Sequence, residues 1–221
     1  MSSLPILDSG ELRAEGRVIA GLVVAKVTNN QDPDKLGRVK LTFPWLSETV
    51  ESAWARVASP FTGNGFGWFC LPEVGDDVLV MFERGDVDRP FVVGSLWNAA
   101  TLPPADNADG KNNLRLFKSR SGHVFSFDDT ENSERIAIRD KSGKNEIVID
   151  SASNSISIQA DGDLTVTVQG NIAFQANGDI SLACRNFTLE AQSKAAIGAS
   201  QELGLTCSPG VRINNDGLVV T

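Results

Sequence analysis

Residues 160–179 read "ADGDLTVTVQGNIAFQANGD", in which glycine returns at Gly162, Gly170 and Gly178, eight residues apart. Each glycine is followed by Asp163, Asn171 or Asp179, then by Leu164, Ile172 or Ile180, then by an alternation such as Leu164, Val166, Val168. Glycine beside Asp or Asn is turn chemistry: glycine accepts an unusual φ or a close backbone approach, and the short polar side chain bonds the turn. Apolar residues at every second position are strand chemistry, since successive side chains point to opposite faces. The phrase predicts a turn and a short strand, repeated, with the three glycines at the corners.

The alternation extends in both directions. Upstream stand "IAI" at 136–138, "IVI" at 147–149 and "ISI" at 156–158; downstream stand "FTLE", "LGLTC", "VRI" and "LVV". Every run is too short to hide its own apolar face, so repeats of this unit bury a core by stacking on neighbours, as in a solenoid. Eight residues supply one face and one corner, and a triangular layer needs about three such faces. One chain supplying all three would build a stub of roughly three turns with exposed ends. Three chains supplying one face each would build a rod of about nine layers, roughly 40 Å long at about 4.7 Å per strand. The second arrangement buries far more per chain, and the expectation is an intertwined homotrimer.

Toward the N-terminus the punctuation changes. "GLVVAKV", "GRVKLTF", "AWARVAS", "GWFCLP", "DDVLVMFE" and "RPFVVGSLW" are strand-like runs broken at Gly37, Gly75 and Gly85 and at Pro60, Pro72 and Pro90, with no helical spacing of apolar residues. Five or six such runs in about eighty residues suit a small closed barrel. Residues 98–113, "NAATLPPADNADGKNN", carry little to bury and read as a linker. The reading is therefore all-β: a tail over 1–16, a barrel over 17–97, a linker over 98–113 and a trimeric β-helix over 114–221.

Composition narrows the function. The chain has 221 residues, is 41% hydrophobic and carries a formal charge of -8. An acidic surface repels phosphate, which argues against nucleic acid and anionic lipid as charge-driven partners. No apolar stretch is long enough to span a bilayer, and "MSSLPILDSGELRAEG" lacks the basic start and apolar centre of a secretory signal, so synthesis in the cytoplasm is expected. Cys70, Cys184 and Cys207 form no CxxC, and Cys184 and Cys207 continue alternating apolar runs as small buried hydrophobes.

Three stretches carry a family resemblance: "GLVVAKVTNNQDPDKLGRVKLTFPWL", "WARVASPFTGNGFGWFCLPEVGDDVLVMFERGDVDRPFVVGSLWN" and "KSRSGHVFSFDDTENSERIAIRDKSGKNEIVID". In that order they resemble the spike proteins of contractile injection machines: phage baseplate assembly protein V, the spike part of type VI secretion VgrG proteins, and extracellular relatives. The resemblance runs from about Gly21 to Asp150, with "DPDKLGRVK", "PEVGDDVLV" and "GDVDRP…GSLWN" as its most specific parts. It implies an OB-fold barrel followed by a trimeric needle that punctures a membrane when a sheath contracts. Longer relatives carry a hub-like region or a lysozyme domain near the barrel, and some short spikes end in histidines around iron. Here about twenty residues precede the barrel and "VRINNDGLVVT" has no histidine, so the expectation is a stand-alone spike with a separate hub and a separate tip.

Other motifs yield weaker chemistry. "TGNGFG" at 62–67 has neither the preceding strand nor the following helix of a phosphate loop, and reads as barrel-loop glycine. His123 is the lone histidine, with no partner set for a triad or a metal, and reads as a strand or turn residue near the neck. "DDTE" at 128–131 lacks calcium-loop spacing and reads as a hairpin turn. Trp45, Trp54, Phe66, Trp68, Phe82 and Trp97 could stack nucleic-acid bases, but the barrel segment is net acidic, so they read as core or as contacts between subunits. Arg115, Lys118 and Arg120 of "RLFKSR" read as decoration of a solvated strand face. No catalytic, cofactor or metal site is indicated.

The end of a β-helix leaves an open apolar cross-section that must be capped. Leu218, Val219, Val220 and Thr221 from three chains are the expected platform for a PAAR-like tip protein. Leu4, Ile6, Leu7 and Leu12 are the candidate contact to a hub or baseplate protein. The resulting expectation is a non-enzymatic central spike that crosses a target membrane transiently. The alternative is a carbohydrate- or polymer-binding OB module on a β-solenoid stalk.

Overall fold

The computed structural model describes residues 19, 21–206 and 208. The chain divides into two compact units, Met1–Leu164 and Thr165–Thr221. Leu4, Ile6, Leu7, Leu12, Cys207 and the 218–221 platform lie outside the described residues.

The first unit opens with a six-stranded sheet. Its strands are β1 (Val23–Asn29), β2 (Lys40–Phe43), β3 (Ser47–Glu51), β4 (Arg56–Val57), β7 (Asp77–Phe82) and β8 (Pro90–Leu96), in the order β3-β2-β1-β7-β8-β4. All neighbours are antiparallel except β4 and β8, which run parallel over Arg56↔Phe91 and Val57↔Val92. The two edges meet. Val39, just before β2, bridges Ala55, just before β4, through N–H to carbonyl bonds of 2.9 and 2.7 Å in each direction. Strands β1, β2, β4, β8 and β7 therefore close into a ring with no free edge on that side.

The barrel interior follows the period-two pattern. Ala25 and Val27 from β1, Val39, Leu41 and Phe43 along β2, Val78, Val80 and Phe82 from β7, and Val92 from β8 are buried around Ala55. Intervening residues such as Lys26 and Met81 point outward. The run "AWARVAS" shrinks to the two-residue β4, and "GWFCLP" forms no strand beyond Gly67, which ends a small hairpin of β5 (Thr62–Gly63) with β6 (Phe66–Gly67).

The aromatics divide between the two places the sequence allowed them, the core and the surface. Phe82 is core, as is Phe43, while Trp45, Phe66, Trp68 and Trp97 are exposed. The barrel radius is filled by Val, Leu and two Phe rings, so indoles have no room inside. Trp54 is half-buried because Arg38 and Lys40 lie 5.8 and 5.6 Å from its ring centroid.

Residues 98–113 run as turns and lead to a second sheet in the same unit. This is a meander of β9 (Leu114–Lys118), β10 (Val124–Asp128), β11 (Arg135–Arg139), β12 (Glu146–Asp150) and β13 (Ser155–Gln159), each antiparallel to the next. Its turns carry left-handed residues where chirality demands them, among them Asn132 (φ 63°) and Gly143 (φ 72°).

In the second unit the octads bend on schedule but form no strand among the described residues. The backbone bends at 169–170, 177–178, 185, 192–193 and 200–201, with no regular structure between. The expected short strands are absent because a strand exists only through a partner, and this chain supplies none here. Gly162, Gly170 and Gly178 sit at bends; none has a left-handed φ, and within this chain a Cβ at any of them would meet nothing within 4 Å. Cys184, expected to be buried, is exposed, as is Cys70.

Candidate assembly surface

The first conspicuous motif, "DPDKLGRVK", is a rigid β1–β2 connection. The Asp32 carboxylate accepts the Asp34, Leu36 and Arg38 amides at 3.1, 3.0 and 3.2 Å. Arg38 adds a two-pronged contact, Nε at 2.8 Å and Nη2 at 2.7 Å, and Nη2 also reaches Asp34 at 2.6 Å. The Arg38 guanidinium, followed by these backbone donors, holds the Asp32 carboxyl well below the ordinary carboxylate range. This cluster is a fastening of the barrel, since both Asp32 carboxylate oxygens are taken up by Arg38 and the loop amides.

The β9–β13 sheet has two unlike faces. Register places Phe117, Phe125, Ile138, Ile147 and Ile158 in one cross-strand row. Phe127, Ile136, Ile149 and Ile156 form the adjacent row on the same face. Nearly all of these side chains are exposed, and a trough of about 450 Å³ runs over the first row. The opposite face buries Ala137 and carries charge: Arg139 donates to Glu146 at 2.8 Å, and Arg135 pairs with Asp128 at 3.4 Å. A contiguous patch of nine Phe and Ile side chains exceeds what a lone soluble surface ordinarily shows.

The second unit repeats the problem without a sheet. Leu164 at the junction, then Val166, Val168, Ile172, Phe174, Ile180, Leu182, Phe187, Leu189, Ile197, Leu203 and Leu205, are all exposed. Among the described residues from Thr165 to Thr206 no backbone hydrogen bond forms. The bends at 185, 192–193 and 200–201 keep the octad step where glycine is absent, a continuation that the glycine pattern alone did not reveal.

The remaining sequence candidates resolve locally. "TGNGFG" is the β5–β6 hairpin. His123 lies in the β9–β10 turn, where its amide donates to Ser119 Oγ at 3.0 Å and its Nδ1 accepts the Lys141 amide at 3.2 Å. "DDTE" is the β10–β11 turn, with Thr130 Oγ1 donating to Asp128 at 2.6 Å. Arg115, Lys118 and Arg120 do not share a strand face. Positions 115 and 118 differ by an odd number and point to opposite sides, Arg120 lies in a turn, and Arg115 and Arg120 are paired with Asp129 and Glu73 at 2.6 and 3.0 Å.

Comparison with known proteins bears on this arrangement of barrel and unpartnered strands. Residues 23–97, the barrel itself, match the family described as the type VI secretion system/phage-baseplate injector OB domain. Over these residues the chain is similar to the injector OB domain of VgrG-like baseplate and spike proteins. Relatives include the type VI secretion system spike protein VgrG3 of Vibrio cholerae, 32% identical over 132 residues, covering 54% of this chain and 13% of the relative. The spike protein VgrG4b of Pseudomonas aeruginosa is 40% identical over 92 residues, covering 40% of this chain and 11% of the relative. The actin cross-linking toxin VgrG1 of Vibrio cholerae is 32% identical over 111 residues, covering 47% of this chain and 10% of the relative. The chain thus spans well under a quarter of the length of these VgrG-like relatives. The toxin name consequently carries no activity over to it, and none of these names supports the polymer-binding alternative.

Proposed function

We propose that the chain is a non-enzymatic central spike of a contractile injection machine or phage tail. In this reading the barrel over 17–97 seats on a hub protein, residues 98–113 link it to a needle, and residues 114–221 of three copies wind into an intertwined β-helix. The observation that supports it most is the run from Thr165 to Thr206, bent about every eight residues and without a backbone partner among the described residues. Backbone N–H and C=O groups flanked by alternating apolar residues require strand partners, and two further copies supply them in register. The nine-residue Phe/Ile face of the β9–β13 sheet supplies the start of the same interior.

The mechanism is mechanical. Interwoven strands must break many hydrogen bonds and expose their core together before the rod bends or frays, so slow unfolding is the functional property. The needle crosses the target membrane when driven, carrying a PAAR-like tip protein on the platform of Leu218, Val219, Val220 and Thr221. Leu4, Ile6, Leu7 and Leu12 engage the hub.

Light scattering on the full chain tests the reading. The expected solution mass is three times the 23.6 kDa chain, with trimer migration on detergent gels unless boiled. A freely dissociated monomer that binds a polysaccharide saturably would overturn it in favour of the stalked binding module.

A further inference from the structure

Residues 57–72, "VASPFTGNGFGWFCLP", contain no charged side chain, and the β5–β6 hairpin projects from their middle. Four aromatics in this loop are exposed: Phe61 at 55%, Phe66 at 67%, Trp68 at 52% and Phe69 at 79%. The loop is nonetheless built rather than slack. Thr62 pairs with Gly67 and Gly63 with Phe66. The Trp68 amide donates to the Phe61 carbonyl at 3.2 Å, and Ser59 Oγ donates to the carbonyls of Phe61 and Trp68 at 3.2 and 2.7 Å. Gly67, at φ 148°, passes so close to the other limb that a Cβ would lie 2.9 Å from the Phe61 carbonyl oxygen. An ordered, uncharged, aromatic hairpin standing over a cavity of about 730 Å³ beside its own barrel has not spent its apolar surface on its own chain.

Two contacts join it to the β9–β13 sheet. Trp68 meets Phe117 edge-on, with ring centroids 6.1 Å apart, and Phe117 heads the row Phe117, Phe125, Ile138, Ile147, Ile158. Arg120 Nη1 lies 3.0 Å from Glu73 Oε2, tying the end of the loop to the β9–β10 turn. The hairpin patch is therefore continuous with the apolar sheet face and held at a set position beside it. A partner that covers the face meets the hairpin as well.

We infer that the hairpin Phe61–Phe69 is a clasp that seats on a neighbouring copy of this chain, closing the neck between barrel and needle. The inference rests on the three-chain reading above. It assigns to this loop a role in locking the copies together at the neck, separate from the winding of the octads. The uncharged composition fits a buried contact with a like surface, where unpaired charge would be costly.

Cys70, exposed in the single chain and next to Phe69, is the reporter. The full chain is treated with a small maleimide in native buffer and in denaturant, labelling at Cys70 is followed by peptide mass spectrometry, and solution mass is measured in parallel. The expected result is a three-chain mass with Cys70 labelled at least about tenfold more slowly in native buffer than in denaturant. In the double variant Phe66→Ser, Phe69→Ser the mass stays at three chains and Cys70 labels faster. A three-chain mass with Cys70 labelled as fast as in denaturant overturns the clasp and leaves the trimer standing. A single-chain mass overturns both.

Discussion

The barrel and the octads are written in the same alphabet of short alternating runs, yet the chain completes one and leaves the other open. In the barrel, strands distant in sequence return to one another. Val39 finds Ala55, Arg56 finds Phe91, and a core from Ala25 to Val92 is sealed within one chain. From Thr165 to Thr206 each run is followed by a bend and another short run that continues onward, so no strand returns beside its predecessor. The difference lies in the connections. Loops that reverse the chain allow self-pairing, whereas a regular step of eight residues carries the chain onward past its own edge.

The sharpest way to break this comparison is to charge the open half. Ile172→Asp with Leu182→Asp is expected to abolish three-chain assembly, read as a fall to single-chain mass, while the thermal unfolding of the barrel persists. Retained trimer mass in that variant would place assembly elsewhere. The reciprocal change is Leu41→Ala in the sealed half. Leu41 is fully buried, so the barrel should lose about 2–5 kcal/mol in chemical denaturation, with detergent-resistant assembly of the needle retained.

Smaller effects sharpen the boundary between the two halves. Gly67→Ala forces a Cβ against the Phe61 carbonyl at a left-handed φ and should cost about 1–3 kcal/mol of barrel stability, with Cys70 labelling accelerated. Asp32→Asn removes the carboxylate that fastens the β1–β2 connection. Asp32 titrates below its ordinary 3.8 in the folded chain, so its ionised form contributes stability above that pH and the contribution is lost as pH falls through the folded value. Wild type should therefore exceed Asp32→Asn in denaturation midpoint at neutral pH, and the gap should narrow below about pH 4, where the carboxylate of the unfolded chain begins to protonate while that of the folded chain is still ionised. A gap independent of pH would assign the effect to geometry rather than charge.

Much of the barrel was legible because alternation at β1, β2 and β7 is a local property: Val27, Leu41 and Val80 could be placed inside from their neighbours alone. The indoles were not. In the sequence Trp68 and Trp97 read equally as core or as contacts between subunits, and only the narrow barrel radius and the edge contact of Trp68 with Phe117 put Trp68 outside the barrel. Arg115 and Lys118 looked like one basic face until register assigned them to opposite sides. "TGNGFG" at 62–67 reads as barrel-loop glycine, although the lack of charge across the sixteen residues 57–72 around it is a signal open to inspection.

Sequence alone determined the repeating unit: where the backbone turns, which side chains alternate, and that each apolar run is too short to enclose an interior. These follow from residue stereochemistry and the two-residue period of extended chain, which need no distant partner. Tertiary structure decided which edges meet, that Val39 and Ala55 close the barrel, that five strands stack their Phe and Ile side chains on one face, and that Trp68 joins the hairpin to that face. Pairing is a competition among distant segments for the same hydrogen bonds and buried area, and only the folded chain shows which segments win.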